Sequence, residues 1–379
     1  MREKIDNNKK NVLILLGRYL PGQKDGGPIR TISNLVDTFG DDFNFYIACL
    51  DRDSGDKKAY ENVLFDEWNK VGNCYVYYVK KFDFPIIKEL SKDVAFIYIC
   101  GCYNSYCYLT LILRKIKKIN CSFSIAPMGN FSPGALSIKK TKKTTYIKIC
   151  KLFGLFKNIV WSVTSENELR DTKRIMGENI QYIIAEDLPT HSDVSFTFFN
   201  KKPNSVVFLS RISKMKNLIG AISAMSHVKK DVTFDIYGFI EDEFYWEKCK
   251  TALQNLPSNI SWNYCGLVSF NESMQILSKY QIFLLPTMGE NYGHVIFESL
   301  SAGCFPIISD TTPWNDIIKE NIGAVLPLSE DMDNFTEAIE TALEFSDEKR
   351  SLIRNRAVNY CRVKSERAKK ESGYKKLFN

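Results

Sequence analysis

The chain reads as an α/β protein made of two doubly wound, Rossmann-like halves. Three observations carry that reading. Short apolar runs recur along the 379 residues with helical segments between them. The pattern starts afresh midway, after a polar, proline-punctuated stretch at 186–204. The composition, 45% apolar and 25% charged, is that of a soluble globular protein. Strands apolar on both faces belong to a parallel sheet covered by helices. At roughly 100–200 residues per domain, this length holds two or three units.

In the first half, strands are expected at 12–16, 43–49, 75–79, 94–100, 122–126 and 159–163, with helices at 30–39, 106–116 and 138–156. In the second half, strands are expected at 206–209, 233–237, 260–264, 282–286, 306–309 and 324–327. The helices there fall at 217–228, 242–253, 274–279, 294–302 and 335–345, and a charged terminal helix at 349–379. The expected domains are 1–190, with 360–379 packing back on it, and 191–359. No propeller or solenoid repeat is visible. Sheets of this kind bind ligands outside the carboxyl ends of their strands, so chemistry is expected in a cleft where the two halves face each other.

Charge is unevenly placed. The chain carries +7 overall, yet the stretch from 94 to 165 holds no Asp or Glu and eleven Lys or Arg, leaving −4 for the remainder. Such a patch attracts anionic lipid, nucleic acid or a phosphorylated substrate. No nucleic-acid recognition motif accompanies it, which argues against that partner. The eleven cysteines are scattered, and the three histidines lie far apart, so reduced thiols are expected rather than a zinc site at Cys100, Cys102 and Cys107. The polar first ten residues lack a hydrophobic signal core, and no apolar run nears the ~18 residues of a membrane span. A cytoplasmic location is expected.

The segment from Pro286 to Gly303 is the richest. A strand ends at Pro286, a turn follows, and an apolar-periodic helix begins near Gly293, so the amides of Tyr292, Gly293, His294 and Val295 form an anion-binding helix start. Glu290 stands before that helix and Glu298 inside it, spaced to reach different parts of one elongated ligand. Carboxylates accept hydrogen bonds from vicinal hydroxyls. Either residue alone would read as a solvated glutamate. Arg211 lies just beyond the first strand of the second half, and Lys216 starts the next helix. A rigid fork and a point charge suit a diphosphate, although such a pair at a strand exit is commonly surface decoration.

These residues carry a resemblance. The Glu290-x7-Glu298 segment, Ser210-Arg211-x4-Lys216-Asn217, Asp235-Ile-Tyr-Gly238 and Gly26-Gly27-Pro-Ile-Arg30 together resemble glycosyltransferase family 4, whose members are retaining enzymes of the two-Rossmann GT-B fold. The likeness covers nearly the whole chain and is strongest from 205 to 328. The segment 289–298 with 309–314 further resembles the branch that builds bacterial surface polysaccharides: O-antigen, capsule or exopolysaccharide. The resemblance implies a UDP- or GDP-linked sugar as donor, a lipid-linked glycan as acceptor, and no cofactor. It assigns Arg211 and Lys216 to the leaving diphosphate, with the amides from Tyr292 to Val295. Glu290 goes to the transferred sugar and Glu298 to the ribose. Tyr237, Gly238, Gly266 and Leu267 flank the base. Asn291 lies in the donor loop, and Gly26 and Gly27 approach from the first domain.

The sequence departs from the family in the loop 126–134. Met128 stands where many relatives carry His or Arg, and Asn130 is the candidate to serve the acceptor in its place. Asp51-Arg-Asp53 matches a metal-binding D-x-D only at chance level and reads as a polar loop, so no metal is expected. His294 either bonds a phosphate or packs under the turn. On a helical wheel, Ile138, Tyr146, Ile149, Leu152, Phe153 and Phe156 share one side, with Lys139, Lys140, Lys143, Lys148 and Lys151 over much of the rest. That face either packs on the sheet or lies on an anionic membrane surface, a partner the region 114–157 suits. A GT-B epimerase or hydrolase and a non-catalytic sugar-nucleotide-binding scaffold are the alternatives to the transferase.

Overall fold

The computed structural model describes residues 8–137, 140–190 and 201–379. They divide into two compact units, one reaching to 190 and taking in Ala368–Asn379, the other running from 201 to Arg367.

The first unit contains, in chain order, β1 (Lys10–Leu15), α1 (Gly27–Phe39), β2 (Phe43–Leu50), β3 (Trp68–Val71), β4 (Cys74–Val79), α2 (Phe84–Leu90), β5 (Phe96–Cys100), α3 (Ser105–Lys115), β6 (Ser122–Ala126), α4 (Pro133–Ser137), α5 (Lys140–Leu152), β7 (Val160–Val163), α6 (Glu166–Met176) and β8 (Gln181–Ile184). Its sheet runs β3-β4-β2-β1-β5-β6-β7-β8, parallel except for β3 on β4. Val12, Leu13, Ile14 and Leu15 are all fully buried, as helices on both faces require. Winding reverses between β1 and β5, so the loops leaving those strands are neighbours.

The second unit contains β9 (Ser205–Leu209), α7 (Leu218–Ser226), β10 (Val232–Tyr237), α8 (Glu243–Gln254), β11 (Ile260–Gly266), α9 (Phe270–Leu277), β12 (Ile282–Leu285), α10 (His294–Ser301), β13 (Phe305–Ser309), β14 (Ala324–Leu326), α11 (Asp333–Leu343) and α12 (Asp347–Lys370). The sheet is wholly parallel, β11-β10-β9-β12-β13-β14. Here winding reverses between β9 and β12, which pair through Val206 with Ile282 and Val207 with Phe283. The segments that follow Leu209 and Leu285 therefore emerge side by side.

The structure adds elements that periodicity missed. β3 and β4 form a hairpin across Gly72-Asn73, with Gly72 at φ 55°. α2, α4, α6 and β8 are the others; the strands at fault, β3 and β8, are four-residue pieces at the sheet edges. The single terminal helix expected at 349–379 breaks. α12 stops at Lys370, Ser372 caps a new helix, α13 (Gly373–Phe378), and Gly373 presses on β8. A Cβ at Gly373 would lie 2.0 Å from the Ile184 carbonyl oxygen, so only glycine fits. Beyond it Tyr374, Leu377 and Phe378 are buried, at the i, i+3, i+4 spacing of one helix face. The Phe378 ring meets those of Phe43, Phe96 and Tyr98 at 5.4, 5.3 and 5.7 Å.

The amphipathic helix at 138–156 also differs. Ile138 and Lys139 lie outside the described residues, as do 191–200 of the expected linker. α5 turns Ile147 and Cys150 inward with Tyr146, whereas Ile149, Leu152 and Phe153 are exposed. The expected single apolar side is thus two faces, because the 3.6-residue period separates 146, 147 and 150 from 149 and 152. All eleven cysteines are free thiols, nine of them buried. Among the described residues, no helix is long and apolar enough to cross a membrane.

Candidate functional site

The second unit assembles its site from two neighbouring strand exits. After β9, a 3₁₀ turn at Lys214–Lys216 ends on Asn217, which takes the left-handed conformation (φ 55°, ψ 47°) and caps α7 by accepting from the Gly220 amide. The same side chain donates to the Pro286 carbonyl at 2.9 Å. The Met288 amide and Thr287 hydroxyl both donate to the Met215 carbonyl, at 2.8 and 3.0 Å. Ser309, the last residue of β13, and Thr311 just beyond it donate to the Thr287 carbonyl. Three loops are thus stitched together by short polar side chains and the Met288 amide donating to backbone carbonyls.

Lys216 and Glu290 meet as an ion pair within this frame, Lys216 Nζ on Glu290 Oε1, both mostly shielded from water. Arg211 is not part of it. Its guanidinium pairs with Glu241 at 2.9 Å on an exposed surface. The two expected phosphate cations therefore rest on different carboxylates.

α10 begins at Gly293, whose φ of 81° is left-handed, and a Cβ there would lie 2.9 Å from the Ile296 side chain and 3.4 Å from that of Glu290. Glycine is needed for both reasons. No side chain caps this helix start, so its first amides keep the partial positive charge that attracts anions. The His294 ring is buried 4.8 Å from that of Tyr292. Asn291 lies exposed in the loop, and Val295 is the second residue of α10. Glu298, one turn in, is 2% exposed and accepts a 2.8 Å bond from the Ser273 hydroxyl.

The residues expected around the base lie where β10 and β11 end. The Gly238 amide donates to the Gly266 carbonyl at 2.8 Å, and the Tyr264 hydroxyl to the Gly238 carbonyl. A Cβ at Gly238 would fall 1.7 Å from the Ser210 carbonyl oxygen, so that close approach of two strand exits admits glycine alone. Tyr237 bonds the Tyr280 hydroxyl, and Leu267 is exposed.

In the first unit, Gly26 starts α1 at φ 59°, and the Cβ position of Gly27 has nothing within 4 Å, leaving bare backbone. Met128 and Gly129 are consecutive left-handed residues (φ 50° and 76°). The Asn130 carboxamide oxygen is taken by the Cys102 amide at 2.8 Å, so Asn130 ties the loop down. Asp51 and Asp53 are buried loop anchors. Asp53 accepts from the Gln23, Lys24 and Ser54 amides, and Asp51 pairs with Arg52.

Three residues escaped the sequence reading. Glu168 accepts from the Gly129 amide at 2.6 Å and from both the amide and hydroxyl of Thr164. Burial pushes its carboxyl above the usual range, opposed by those bonds. Its signal was the Ser165-x-x-Glu168 spacing of a capping box; Ser165 does cap the Glu168 amide, but the carboxylate reaches the neighbouring loop. Asp187, fully buried, has its carboxyl pushed up to about 7, first by desolvation and then by the Glu168 charge. Trp314 donates its indole N–H to the Tyr292 carbonyl and so fixes the loop before α10.

Residues 192–359 match the family described as Glycosyl transferases group 1. Over 138 residues the chain is 27% identical to the UDP-N-acetylglucosamine–peptide N-acetylglucosaminyltransferase GtfA subunit of Streptococcus pneumoniae serotype 4, covering 35% of this chain and 26% of that protein. The Limosilactobacillus reuteri counterpart is 26% identical over 140 residues. The chain thus spans about a quarter of the length of the curated relatives it matches. Among solved structures, sucrose-phosphate synthase from Thermosynechococcus elongatus superposes with a TM-score of 0.73 at 14% identity, covering 98% of this chain and 99% of that one. Anabaena HepE with UDP and glucose gives 0.67 at 12% identity, over 96% and 98%. WaaG, a glycosyltransferase involved in lipopolysaccharide biosynthesis, gives 0.66 at 11%, over 95% and 98%. The fold is therefore the α/β architecture of two Rossmann-like units found in GT-B glycosyltransferases, and the match to glycosyl transferases group 1 falls on the second of them.

Proposed function

We propose that the chain is a retaining, metal-independent family 4 glycosyltransferase. It moves a sugar from a UDP- or GDP-linked donor to a lipid-linked glycan in bacterial surface-polysaccharide synthesis, at the cytoplasmic face of the membrane. The Lys216–Glu290 pair beside the uncapped start of α10 carries this reading. In the reaction the bond from the anomeric carbon to the diphosphate breaks, and an acceptor hydroxyl oxygen bonds that carbon on the same face. Its proton passes to the departing phosphate oxygen. The work asked of the protein is electrostatic, since charge grows on the diphosphate as it leaves. Lys216, released from Glu290, and Arg211, released from Glu241, neutralise it with the α10 amides. Glu290 then accepts from hydroxyls of the transferred sugar, and Glu298 from the ribose. The HepE structure, solved with UDP and glucose, supports a donor of this class.

Calorimetric titration with UDP and GDP, each with magnesium and with EDTA, tests the donor half. Binding of one nucleotide, indifferent to metal, is expected. Transfer of labelled sugar to a bacterial lipid extract tests the acceptor half. Sugar released without acceptor would return the hydrolase or epimerase, and binding without turnover the scaffold.

A further inference from the structure

The outward face of α5 is made of side chains that a water-exposed helix does not ordinarily show. Along it Thr145, Lys148, Ile149 and Leu152 recur at i, i+3, i+4 and i+7, opposite the packed set Lys143, Tyr146, Ile147 and Cys150. Ile149 is 49% exposed, Leu152 82%, and Phe153, in the turn that follows, 63%. No described residue covers them. The inward face is packed, with the Lys143 ammonium on the Ala135 carbonyl and 5.2 Å from the Tyr103 ring, and Tyr146 ring-to-ring with Tyr103 at 5.7 Å. The exposed trio is therefore surplus to core packing.

The surroundings of the trio are cationic. Lys142 and Lys148 flank it on the helix, and Lys157 follows the turn, all exposed. Arg114, near the end of α3, donates to the Lys157 and Asn158 carbonyls at 2.9 and 3.1 Å, which fixes that helix end beside the turn. Lys115 Nζ accordingly lies 3.7 Å from the Cβ position of Gly154. The segment from 94 to 165 that carries these cations holds no acid of its own.

We propose that this face docks on an anionic lipid bilayer. Ile149, Leu152 and Phe153 enter the boundary between headgroups and acyl chains, and the lysines around them sit on lipid phosphates. Protruding apolar side chains and a ring of cations match the two layers of a bilayer surface together, apolar below and anionic above. A second copy of the same face would oppose like charges, and nucleic acid would leave the trio without an apolar partner. The surface deepens the proposed function, on which it rests for its biological sense, by bringing the enzyme to a lipid-linked acceptor.

Sedimentation of the full chain with phosphatidylcholine vesicles, with and without phosphatidylglycerol, reads the docking without donor or acceptor, so its failure leaves transfer untouched. Binding is expected only with phosphatidylglycerol and weakens as salt rises. Leu152→Glu with Phe153→Glu should lower the partition coefficient by at least ~10-fold, and Lys142→Gln with Lys148→Gln by several-fold. All four side chains being exposed, circular dichroism and melting temperature should stay as in the unsubstituted chain. A chain that stays in the supernatant with anionic vesicles overturns the proposal. So does a Leu152→Glu/Phe153→Glu variant that binds undiminished. A dimer by light scattering that this variant dissolves would assign the face to a second copy instead.

Discussion

The loop before α10 and the loop after β6 are both strand exits held in left-handed turns, yet they use their side chains in opposite ways. In the second unit, short polar side chains (Asn217, Thr287, Ser309 and Thr311) donate to loop carbonyls and tie the loops together, while Lys216 and Glu290 pair with each other. In the first unit, the side chains instead accept from loop amides. Asn130 is spent on the Cys102 amide and Glu168 on the Gly129 amide, and Met128 offers no polar atom. A loop that frees its side chains displays a motif. A loop that consumes them offers backbone, and its sequence becomes uninformative about what it binds.

The largest test of that contrast is Lys216→Met. If Lys216 neutralises the leaving diphosphate as proposed, its loss should cost about 10²–10³ in turnover, measured as labelled-sugar transfer, while the melting temperature of the first unit is unmoved. Equal turnover would remove Lys216 from the chemistry.

The first unit's buried acids give the next effect, on stability. Asp187 holds its proton to about pH 7 when folded and to about 3.9 when unfolded. Between those values the folded state binds the extra proton, so stability is full below about pH 4 and is lost as pH rises to 7. Asp187→Asn should therefore stabilise the first unit at pH 8, by on the order of 1–4 kcal/mol, and leave it unchanged at pH 4. Thermal melts at the two pH values read the difference; a gain at both would point away from desolvation.

Smaller effects separate the contacts within the second unit. Glu298→Ala should weaken nucleotide binding by about 10–100-fold, the worth of one or two charged hydrogen bonds, seen by calorimetry. Trp314→Phe removes the indole donor from the Tyr292 carbonyl and should cost about 1 kcal/mol of the same affinity. The smallest is Met128→Gly, which relieves a left-handed methionine at the expense of chain entropy. It should shift stability by under about 1 kcal/mol and, on the proposal that the loop contributes backbone rather than the Met128 side chain, leave transfer intact. A large loss of transfer would give the Met128 side chain a role and narrow the contrast between the units.

Much of the fold was legible because buried parallel strands such as Val12 to Leu15 are unbroken apolar runs. The short edge pieces were not: Trp68–Val71 and Gln181–Ile184 each have one open side and no run to find. In the site, Gly293 and Gly238 announced themselves because backbone geometry there excludes any side chain. Glu168 and Trp314 did not, since each acts on a loop far away in sequence, and only folding makes them neighbours. The split of α5 into a packed and an exposed face was hidden by its start. Counted from 138, Tyr146, Ile149 and Leu152 look like one stripe; it is Ile147 and Cys150 that share the inner face with Tyr146.

The return of Tyr374 and Phe378 to the sheet of the first unit has a consequence for synthesis. A ribosome adding about 5–20 residues per second delivers Tyr374 roughly 10–40 s after Ile184 has emerged. Throughout that interval the rings of Phe96 and Tyr98 lack their cover, and the whole second unit is made while the first waits with an open apolar seam. The half of the protein that is translated first is the half that is finished last.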